Sequence, residues 1–315
     1  MRAIAVDTLG DAPTLRELPD PTPGPGELRL KVEAAGVNPL DLKAAGGMLD
    51  QIGAEYRTPL VLGFDVVGRV EQLGEGVDAF AVGDIVFGLV WPDVLGHGTY
   101  AEQTVVPASA ALARVPEALG FEMAAMLPMP GGTALRLVED HGIGPGQTIA
   151  VIGAAGAVGS YVVQLAARAG AQVVAVASAQ DRSRLQDCGA GSVIDRHEGD
   201  VSAAIRSAVP TGVDVVVDVA SDAEAISALA DVVHPGGRYV SLVGSADVDA
   251  LAARGIEAEN PSYSPVASDA ARLADLVVEG ELQVPPRHVV SLDEAVDVLA
   301  AVQRGERKGK FVIVP

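Results

Sequence analysis

The sequence contains very little cysteine and few aromatic residues. One cysteine among 315 residues, Cys188, excludes an internal disulfide framework and any zinc or iron–sulfur site built from several cysteines. Aromatic residues make up 3% of the chain, so the core must consist mainly of Ala, Val, Leu and Ile. The five histidines are scattered without metal-ligand spacing, which also argues against a histidine-based zinc site.

Positive charge and long apolar runs are scarce as well. Asp and Glu outnumber Lys and Arg by 42 to 22, and a net charge of −20 makes nucleic acid and anionic lipid unfavourable partners. Apolar runs such as 149–152 and 213–217 are far shorter than the roughly 20 residues that a membrane span needs. No apolar stretch of signal-peptide length precedes Asp7, so we expect a cytoplasmic protein.

The length and the hydrophobic pattern predict two domains. Up to about residue 121, short segments that alternate polar and apolar residues between glycines are typical of a compact, barrel-like β domain. From there, helical segments alternate with Val- and Ile-rich strands, which indicates a parallel sheet buried on both faces. The strands predicted in this second region are 148–153, 172–178, 193–194, 213–220 and 238–244.

The first of these strands runs directly into a glycine-rich turn, 153–159, and a helix follows. A dinucleotide pyrophosphate needs a tight turn, a backbone position without Cβ and a helix N-terminus. Gly156 suits the close approach and Gly159 the packing of helix on strand, although Ala154 replaces the first glycine of the usual fingerprint. An ordinary strand-to-helix turn is the alternative. The predicted pyrophosphate-binding residues are Ala155, Gly156, Ala157, Val158 and Gly159.

The end of the second strand favours NADP(H) over NAD(H). NAD sites usually place Asp or Glu here to bond the ribose hydroxyls, whereas this chain has Ser178, with Arg182 one turn further on. A 2′-phosphate is attracted by arginine and repelled by a carboxylate. Arg196, after the next short strand, is a candidate for the same pocket, although Asp181 weakens the argument and each arginine is also explained as a solvated surface residue.

Several motifs then occur in a fixed order. They include Ala34-Ala-Gly-Val-Asn-Pro-Leu-Asp41, Gly98-Thr-Tyr-Ala-Glu102 and segments 59–68, 82–88, 127–134, 163–166, 235–238 and 309–315. With them the chain resembles the medium-chain dehydrogenase/reductase superfamily, and most of all its zinc-independent NADPH:quinone oxidoreductase branch. The resemblance implies an α/β protein with a GroES-like β-rich catalytic domain, 1–121 completed by 262–315, and a Rossmann domain with a doubly wound parallel sheet, 122–261. It also implies a homodimer.

The resemblance indicates where zinc would be bound. Zinc alcohol dehydrogenases of this superfamily carry a Cys near the first motif and Gly-His-Glu near the second, where this chain has Asn38 and Gly63-Phe64-Asp65. Phe cannot ligate zinc and no cysteine is available there, so we expect no metal. Hydride transfer from NADPH to an electron-poor quinone or α,β-unsaturated carbonyl needs only hydrogen-bond donors and a proton source.

By the same resemblance, Asn38 and Asp41 lie beside the nicotinamide, with the Asn38 amide as a candidate donor to an oxyanion. Many relatives have a tyrosine a few residues later, where this chain has Lys43-Ala-Ala. Lys43 and Tyr100 are therefore candidate proton donors, although Tyr100 is also explained as a packed strand residue. Further cofactor contacts are predicted at Thr133, Val219, Ala220, Val243, Gly244 and Lys310; core packing is the alternative for the valines, and a surface position for the lysine.

The sequence thus predicts a zinc-independent NADPH-dependent oxidoreductase that acts on a small-molecule quinone or activated alkene. An enone or enoyl-thioester reductase of the same superfamily stays open, because only the cleft walls near 48–56 and Tyr263 would distinguish it. A non-catalytic NADPH-binding protein with a structural or sensor role also stays open, since the tyrosine near Lys43 is missing.

Overall fold

A computed structural model describes residues 1–221, 223–244, 246–304, 306 and 309–315. These divide into two compact units, Met1–Gly132 with Pro265–Pro315, and Thr133–Ser264. The boundaries predicted from the sequence are 121 and 261. The segment that follows 121 joins the first unit because its short helix, Phe121–Ala124, packs against the long strand Glu27–Gly36 of that unit.

The elements are numbered in chain order. The strands are β1 (Arg2–Val6), β2 (Thr14–Glu17), β3 (Glu27–Gly36), β4 (Glu55–Tyr56), β5 (Leu60–Val61), β6 (Asp65–Leu73), β7 (Ile85–Leu89), β8 (Val94–Leu95), β9 (Gln103–Pro107), β10 (Ala111–Arg114), β11 (Thr148–Ile152), β12 (Gln172–Ala177), β13 (Ser192–Asp195), β14 (Val213–Asp218), β15 (Val233–Ser241), β16 (Glu257–Glu259), β17 (Arg287–Ser291) and β18 (Lys310–Val314).

The helices are α1 (Pro39–Ala45), α2 (Phe121–Ala124), α3 (Pro128–Asp140), α4 (Ala157–Arg168), α5 (Arg182–Asp187), α6 (Val201–Ala208), α7 (Ala223–Ala230), α8 (Val248–Ala252), α9 (Ala267–Val278) and α10 (Leu292–Gln303). Two short 3₁₀ segments cover Met48–Ile52 and Ala179–Asp181. Within the described part of the chain, no helix is both long enough and apolar enough to cross a membrane.

The first unit is built around a seven-stranded sheet with the order β10-β7-β6-β3-β18-β17, in which β9 also pairs with β3. Strands β2, β1 and β5 form a second, antiparallel sheet. Along β3 every second side chain faces the core, as its alternating sequence predicts, and Leu28 and Leu30 are fully buried. The C-terminal strand β18 pairs antiparallel with the end of β3, so the two ends of the chain share one core.

The second unit contains one parallel six-stranded sheet with the order β13-β12-β11-β14-β15-β16. In chain order this is 3-2-1-4-5-6, the doubly wound Rossmann arrangement, so the predicted fold class is confirmed. Its strands are rich in Val and Ile because both faces are covered, and Ala150, Val216 and Tyr239 are fully buried in the core. The topological switch point lies between β11 and β14, where ligands bind in such sheets.

Two strand ends differ from the sequence prediction. Strand β14 stops at Asp218 and not at 220, because the Asp218 carboxylate accepts the backbone N–H groups of Ala220 and Ser221 and turns the chain. Strand β15 starts earlier than predicted, at Val233, and ends at Ser241. Val243 and Gly244 therefore lie in the turn that follows, where Gly244 adopts a positive φ of 74°.

Candidate active site

Five polar side chains meet in the interior of the first unit: Asn38, Asp41, Asp65, Tyr100 and Lys310. None is more than 6% exposed. They come from separate elements, since Asn38 precedes α1, Asp41 lies within it, and Asp65 and Lys310 open β6 and β18. Tyr100 lies between β8 and β9. Such a concentration of buried ionisable groups is costly unless the groups satisfy one another, so it marks a candidate functional site.

The start of α1 fixes Asn38. Pro39 occupies the first helical position, and the Asp41 carboxylate accepts the Asn38 backbone N–H at 2.5 Å. The Asn38 amide turns away from the helix: its Nδ2 donates to Asp65 Oδ2 at 2.8 Å and more weakly to Gly36 O at 3.4 Å. Its Oδ1 accepts a hydrogen bond from Lys310. Both amide hydrogens are thus directed at protein oxygens, and the contact of this amide with a substrate oxyanion stays a prediction.

Asp41 and Tyr100 form the second half of this cluster. The Tyr100 hydroxyl donates to Asp41 Oδ2 at 2.5 Å, while Oδ1 of Asp41 is buried without a partner among the described residues. Burial raises the pKa of Asp41 to about 7, against the opposing effects of the bonds from Tyr100 and the Asn38 backbone. Burial and the adjacent Asp41 raise the pKa of Tyr100 well above its usual value. Tyr100 is therefore a neutral phenol bonded to Asp41, inaccessible to solvent.

Lys310 and Asp65 carry opposite charges in the same interior. Lys310 Nζ lies 3.8 Å from Asp65 Oδ2, and Asp65 Oδ1 accepts the Met129 N–H at 2.9 Å. Burial raises the pKa of Asp65 to about 6, while Lys310 and Asn38 act in the opposite direction. Burial lowers the pKa of Lys310. The ammonium group of Lys310 contacts Asn38 and Asp65 of its own unit, and its predicted contact with the cofactor stays a prediction.

Lys43 lies apart from this cluster. It follows Asp41 by two positions on α1, so its side chain lies on the other side of the helix, and it is exposed. In the described chain no hydrogen bond or ion pair joins it to the five residues. The structure therefore does not bring this predicted proton donor to the candidate site.

The donor set at the position of the zinc ligands does not suit zinc. The Asn38 amide is already hydrogen-bonded at both ends, Phe64 has no lone pair, and Asp65 is paired with Lys310. Phe64 is buried and stacks on Trp91, with ring centroids 4.9 Å apart. Nowhere among the described residues do three His, Cys, Asp or Glu side chains gather in a metal-binding arrangement.

The glycine turn of the second unit connects β11 to α4. Gly153 has a φ of +80°, and Gly156 caps α4 in an extended conformation with no side-chain hydrogen bond to the helix N-terminus. A Cβ on Gly159 would lie 2.3 Å from Gly153 O, whereas one on Gly156 meets its nearest neighbour at 3.3 Å. Gly159 therefore allows α4 to pack closely on β11. Gly156 and the partly exposed Ala155, Ala157 and Val158 leave the N–H groups of the first helical turn open to an anion.

The ends of β12 and β13 bring Ser178 and Arg196 together, as predicted. Arg196 Nε donates to Ser178 Oγ at 3.2 Å and to His197 Nε2 at 3.1 Å. Arg182 behaves differently, since its Nη1 donates to Val193 O at 2.6 Å and is engaged by the backbone of β13. His197 was not predicted as part of this pocket. It directly follows Arg196 at the end of a strand, and this position could have indicated it.

Asp181 would repel a 2′-phosphate bound near Ser178, but Arg184 neutralises its carboxylate. Its Nη2 lies 2.9 Å from Asp181 Oδ1 and also donates to Ala155 O in the glycine turn at 3.2 Å. The carboxylate next to Ser178 is thus neutralised by a neighbour one helical turn away. The same contact ties α5 to the turn and to Ser160, whose Oγ accepts from Arg184 Nη1 at 3.2 Å.

The other predicted cofactor contacts lie at strand ends of the same sheet or in α3. A Cβ on Gly153 would meet Ala220 Cβ at 2.7 Å and Val219 Cγ2 at 3.0 Å, so the ends of β11 and β14 are adjacent. Val243 is 39% exposed beyond β15, next to Gly244, and Thr133 is half-buried in α3. Asp218, which the sequence analysis missed, holds this edge through the Ala220 N–H and the Tyr239 hydroxyl.

A doubly wound sheet with a glycine turn at its switch point, in one chain with a β-rich unit, is typical of dehydrogenases and reductases that use a dinucleotide cofactor. Family models agree with this: the alcohol dehydrogenase GroES-like domain matches residues 24–117, and the zinc-binding dehydrogenase model matches 188–313. The chloroplast envelope quinone oxidoreductase homolog of Arabidopsis thaliana is 30% identical over 311 residues, 95% of this chain and 93% of that protein.

The 2-methylene-furan-3-one reductase of Solanum lycopersicum is 31% identical over 297 residues, 92% of this chain and 72% of that protein. A mycobacterial protein solved in complex with NADPH superimposes with a TM-score of 0.85 at 27% identity, over 100% of both chains. The chain belongs to the medium-chain dehydrogenase/reductase superfamily, and it is an oxidoreductase of that family.

Proposed function

We propose that this protein is a zinc-independent, NADPH-dependent reductase that transfers hydride to a quinone or to an alkene activated by a conjugated carbonyl. One observation carries the proposal. Asn38 and Asp65, two of the positions that bind zinc in the alcohol dehydrogenases of the superfamily, here form a closed hydrogen-bond network with Lys310. The positive charge beside Asp65 is an ammonium group supplied by the chain itself.

This network restricts the reactions that the site can catalyse. A zinc ion lets related enzymes bind an alcohol as its alkoxide, because the metal stabilises the negative oxygen. A buried ammonium group already committed to Asn38 and Asp65 does not replace that function. Quinones and conjugated carbonyls accept hydride without such activation because the added charge is delocalised onto oxygen. We therefore assign the electron-poor acceptors, and not simple alcohols, to this site.

The cofactor proposal rests on the second unit. NADPH supplies the hydride when bound. The open N-terminus of α4 at Gly156 is suited to its pyrophosphate, and Ser178 with Arg196 is suited to a 2′-phosphate. His197, beside Arg196, offers a further nitrogen to the same group. Arg182 is omitted from this pocket because its guanidinium is held by Val193.

Reduction of these acceptors also consumes a proton. Asp41 is the group of the buried cluster whose pKa, about 7, lies closest to neutrality. Its Oδ1 has no partner in the described chain, whereas Oδ2 accepts two hydrogen bonds, so Oδ1 is where the cluster holds a proton. In this proposal Asn38 and Tyr100 orient the carboxyl group, and Asp41 is the reservoir from which the proton is released.

The direct test follows NADPH absorbance with benzoquinone, naphthoquinone and short-chain enones, with NADH as the comparison cofactor. We expect turnover with NADPH that is unchanged by a chelator, and no stoichiometric zinc by elemental analysis. Metal-dependent turnover would overturn the mechanism. Tight NADPH binding without turnover on any acceptor would instead support a non-catalytic NADPH-binding protein.

Within the proposal, a quinone and an enone are alternative acceptors. The Solanum lycopersicum relative, named 2-methylene-furan-3-one reductase, favours an enone, and the Arabidopsis relative favours a quinone. The ratio of kcat/KM for the two acceptor classes decides between them. A homodimer located in the cytoplasm is also proposed, and sedimentation of the purified protein tests the dimer.

A further inference from the structure

Trp91 is the single tryptophan of the chain, and the structure leaves it partly uncovered. It is 39% exposed, although tryptophan is among the most costly side chains to leave in water. One face of its ring stacks on Phe64 at a centroid distance of 4.9 Å and an angle of 23°. Phe64 itself is 5% exposed and immediately precedes Asp65 of the buried cluster. The indole therefore packs on the residue that precedes Asp65 in the chain.

The uncovered part of Trp91 borders a cavity. The cavity is partly open to solvent and has a volume of about 220 Å³, and its described lining consists of Gly53, Ala54, Trp91, Pro92, Asp93 and Leu95. Pockets for drug-sized ligands span about 300–1,000 Å³, so this volume suits a ligand with a single ring or a small fused ring. Gly53 and Ala54 contribute little bulk, so the indole of Trp91 is the largest side chain of this lining.

The residues that line the cavity favour some classes of ligand over others. Among its described residues, Asp93 carries the charge, so the cavity disfavours a carboxylate or phosphate and admits a neutral molecule. Indole is electron-rich, and flat rings stack on it in an offset arrangement. An electron-poor flat ring, such as that of a quinone, matches both properties better than a flexible open-chain enone does.

We propose that this cavity binds the ring of the acceptor and that Trp91 determines a preference for flat, neutral, cyclic acceptors. This inference rests on the proposed reductase function and narrows its substrate class. The ring stacks on the indole face opposite Phe64, and Phe64 fixes the angle of that face. Trp91 is then a specificity-determining residue that contacts the acceptor.

The kinetic test compares Trp91→Leu and Trp91→Phe with the parent protein. An aromatic stack contributes about 0.5–1.5 kcal/mol, so Trp91→Leu should raise KM for naphthoquinone roughly 2- to 10-fold while KM for methyl vinyl ketone changes little. Trp91→Phe keeps a ring and should recover most of that loss. Val94→Ala is the matched control, because Val94 is a 40% exposed hydrophobic residue of the same segment outside the cavity lining.

A binding test does not depend on turnover. Because Trp91 is the only tryptophan, its fluorescence reports on this cavity alone. Hydroquinone, a product-like ring, should protect Trp91 from quenching by acrylamide, and cyclohexanol should not. Undiminished quenching, or equal KM changes for cyclic and open-chain acceptors, would overturn the inference. Protection without any turnover would leave the cavity assignment standing and would overturn the proposed reductase function instead. Thermal unfolding of each variant distinguishes a folding defect from a binding defect.

Discussion

Lys310 Nζ lies 3.8 Å from Asp65 Oδ2, and both side chains are almost completely buried. Removing one partner of a buried ion pair leaves an uncompensated charge, which costs about 3–5 kcal/mol. We therefore expect Lys310→Met, which keeps the length of the side chain, to lower the free energy of unfolding by this amount in urea denaturation.

The matched control for this variant is Lys31→Met. Lys31 is 54% exposed and lies 3.6 Å from Glu33, so its ion pair is screened by water and the change should cost about 1 kcal/mol or less. Loss of the Lys310 cation also raises the pKa of Asp65 further. The destabilisation should therefore be smaller at about pH 5, where Asp65 can be protonated, than at about pH 8. Equal losses in the two variants would contradict the ion pair.

The raised pKa of Asp41 predicts how stability depends on pH. Burial raises this pKa from 3.8 to about 7, so between these values the folded protein holds a proton that the unfolded chain releases. The contribution of Asp41 to stability is complete below about pH 4 and is lost as the pH rises through about 7. Asp41→Asn mimics the protonated form and should flatten the decline of unfolding free energy across that range.

The control for the pH series is Asp78→Asn, which changes an exposed carboxylate. It should leave the slope of unfolding free energy against pH as it is in the parent protein. Melting curves recorded across the range from about pH 4 to about pH 8 provide the measurement. An unaltered slope in Asp41→Asn would show that Asp41 is not the group that holds the proton.

The sequence predicted the second unit better than the candidate site, and the physical reason is the distance along the chain. The glycine turn and the strand that precedes it are neighbours in sequence, so local patterns identify Gly156 and Gly159 directly. Lys310 and Asn38 are 272 positions apart, and only the pairing of β18 with β3 brings them together. Neither residue type nor local periodicity predicts that contact.

The two arginines near Ser178 show a second limit of prediction from sequence. Arg182 and Arg196 both follow strands that end at the same edge, and both were assigned to one phosphate pocket. The structure separates them because the carbonyl of Val193 is within reach of Arg182, while Arg196 lies beside Ser178. Which acceptor a long, flexible side chain finds depends on the packing of α5 against β13, and that is a tertiary property.

The glycine turn yields a contrasting pair of substitutions. A methyl group on Gly159 would meet Gly153 O at 2.3 Å and Ala154 Cα at 2.8 Å, so Gly159→Ala should lower the free energy of unfolding by about 1–3 kcal/mol. On Gly156 the nearest atom is at 3.3 Å, so Gly156→Ala should fold almost normally. It should nevertheless weaken NADPH binding, because the methyl group stands where the pyrophosphate approaches.

Two measurements separate these effects. Denaturation of the cofactor-free protein reports packing, and a titration followed by NADPH fluorescence reports binding. Gly120→Ala serves as a control for a glycine outside the turn, since its Cβ would meet its nearest neighbour, Met123 Cε, at 3.6 Å. Normal NADPH affinity in Gly156→Ala would place the pyrophosphate elsewhere.

The cofactor preference depends on Arg196. A charge-assisted hydrogen bond to phosphate contributes about 1.5–3 kcal/mol, so Arg196→Ala should weaken NADPH binding roughly 10- to 100-fold. NADH lacks the 2′-phosphate, and its affinity should change little. Arg206→Ala removes the same charge from an exposed position of α6. It therefore controls for the change in the electrostatic field of the whole protein. Arg182→Ala should affect folding more than cofactor choice, because Arg182 donates to Val193 O at 2.6 Å. If Arg196→Ala weakened NADPH and NADH equally, the 2′-phosphate would not be bound by Arg196, and the assignment of NADPH would lose its structural basis.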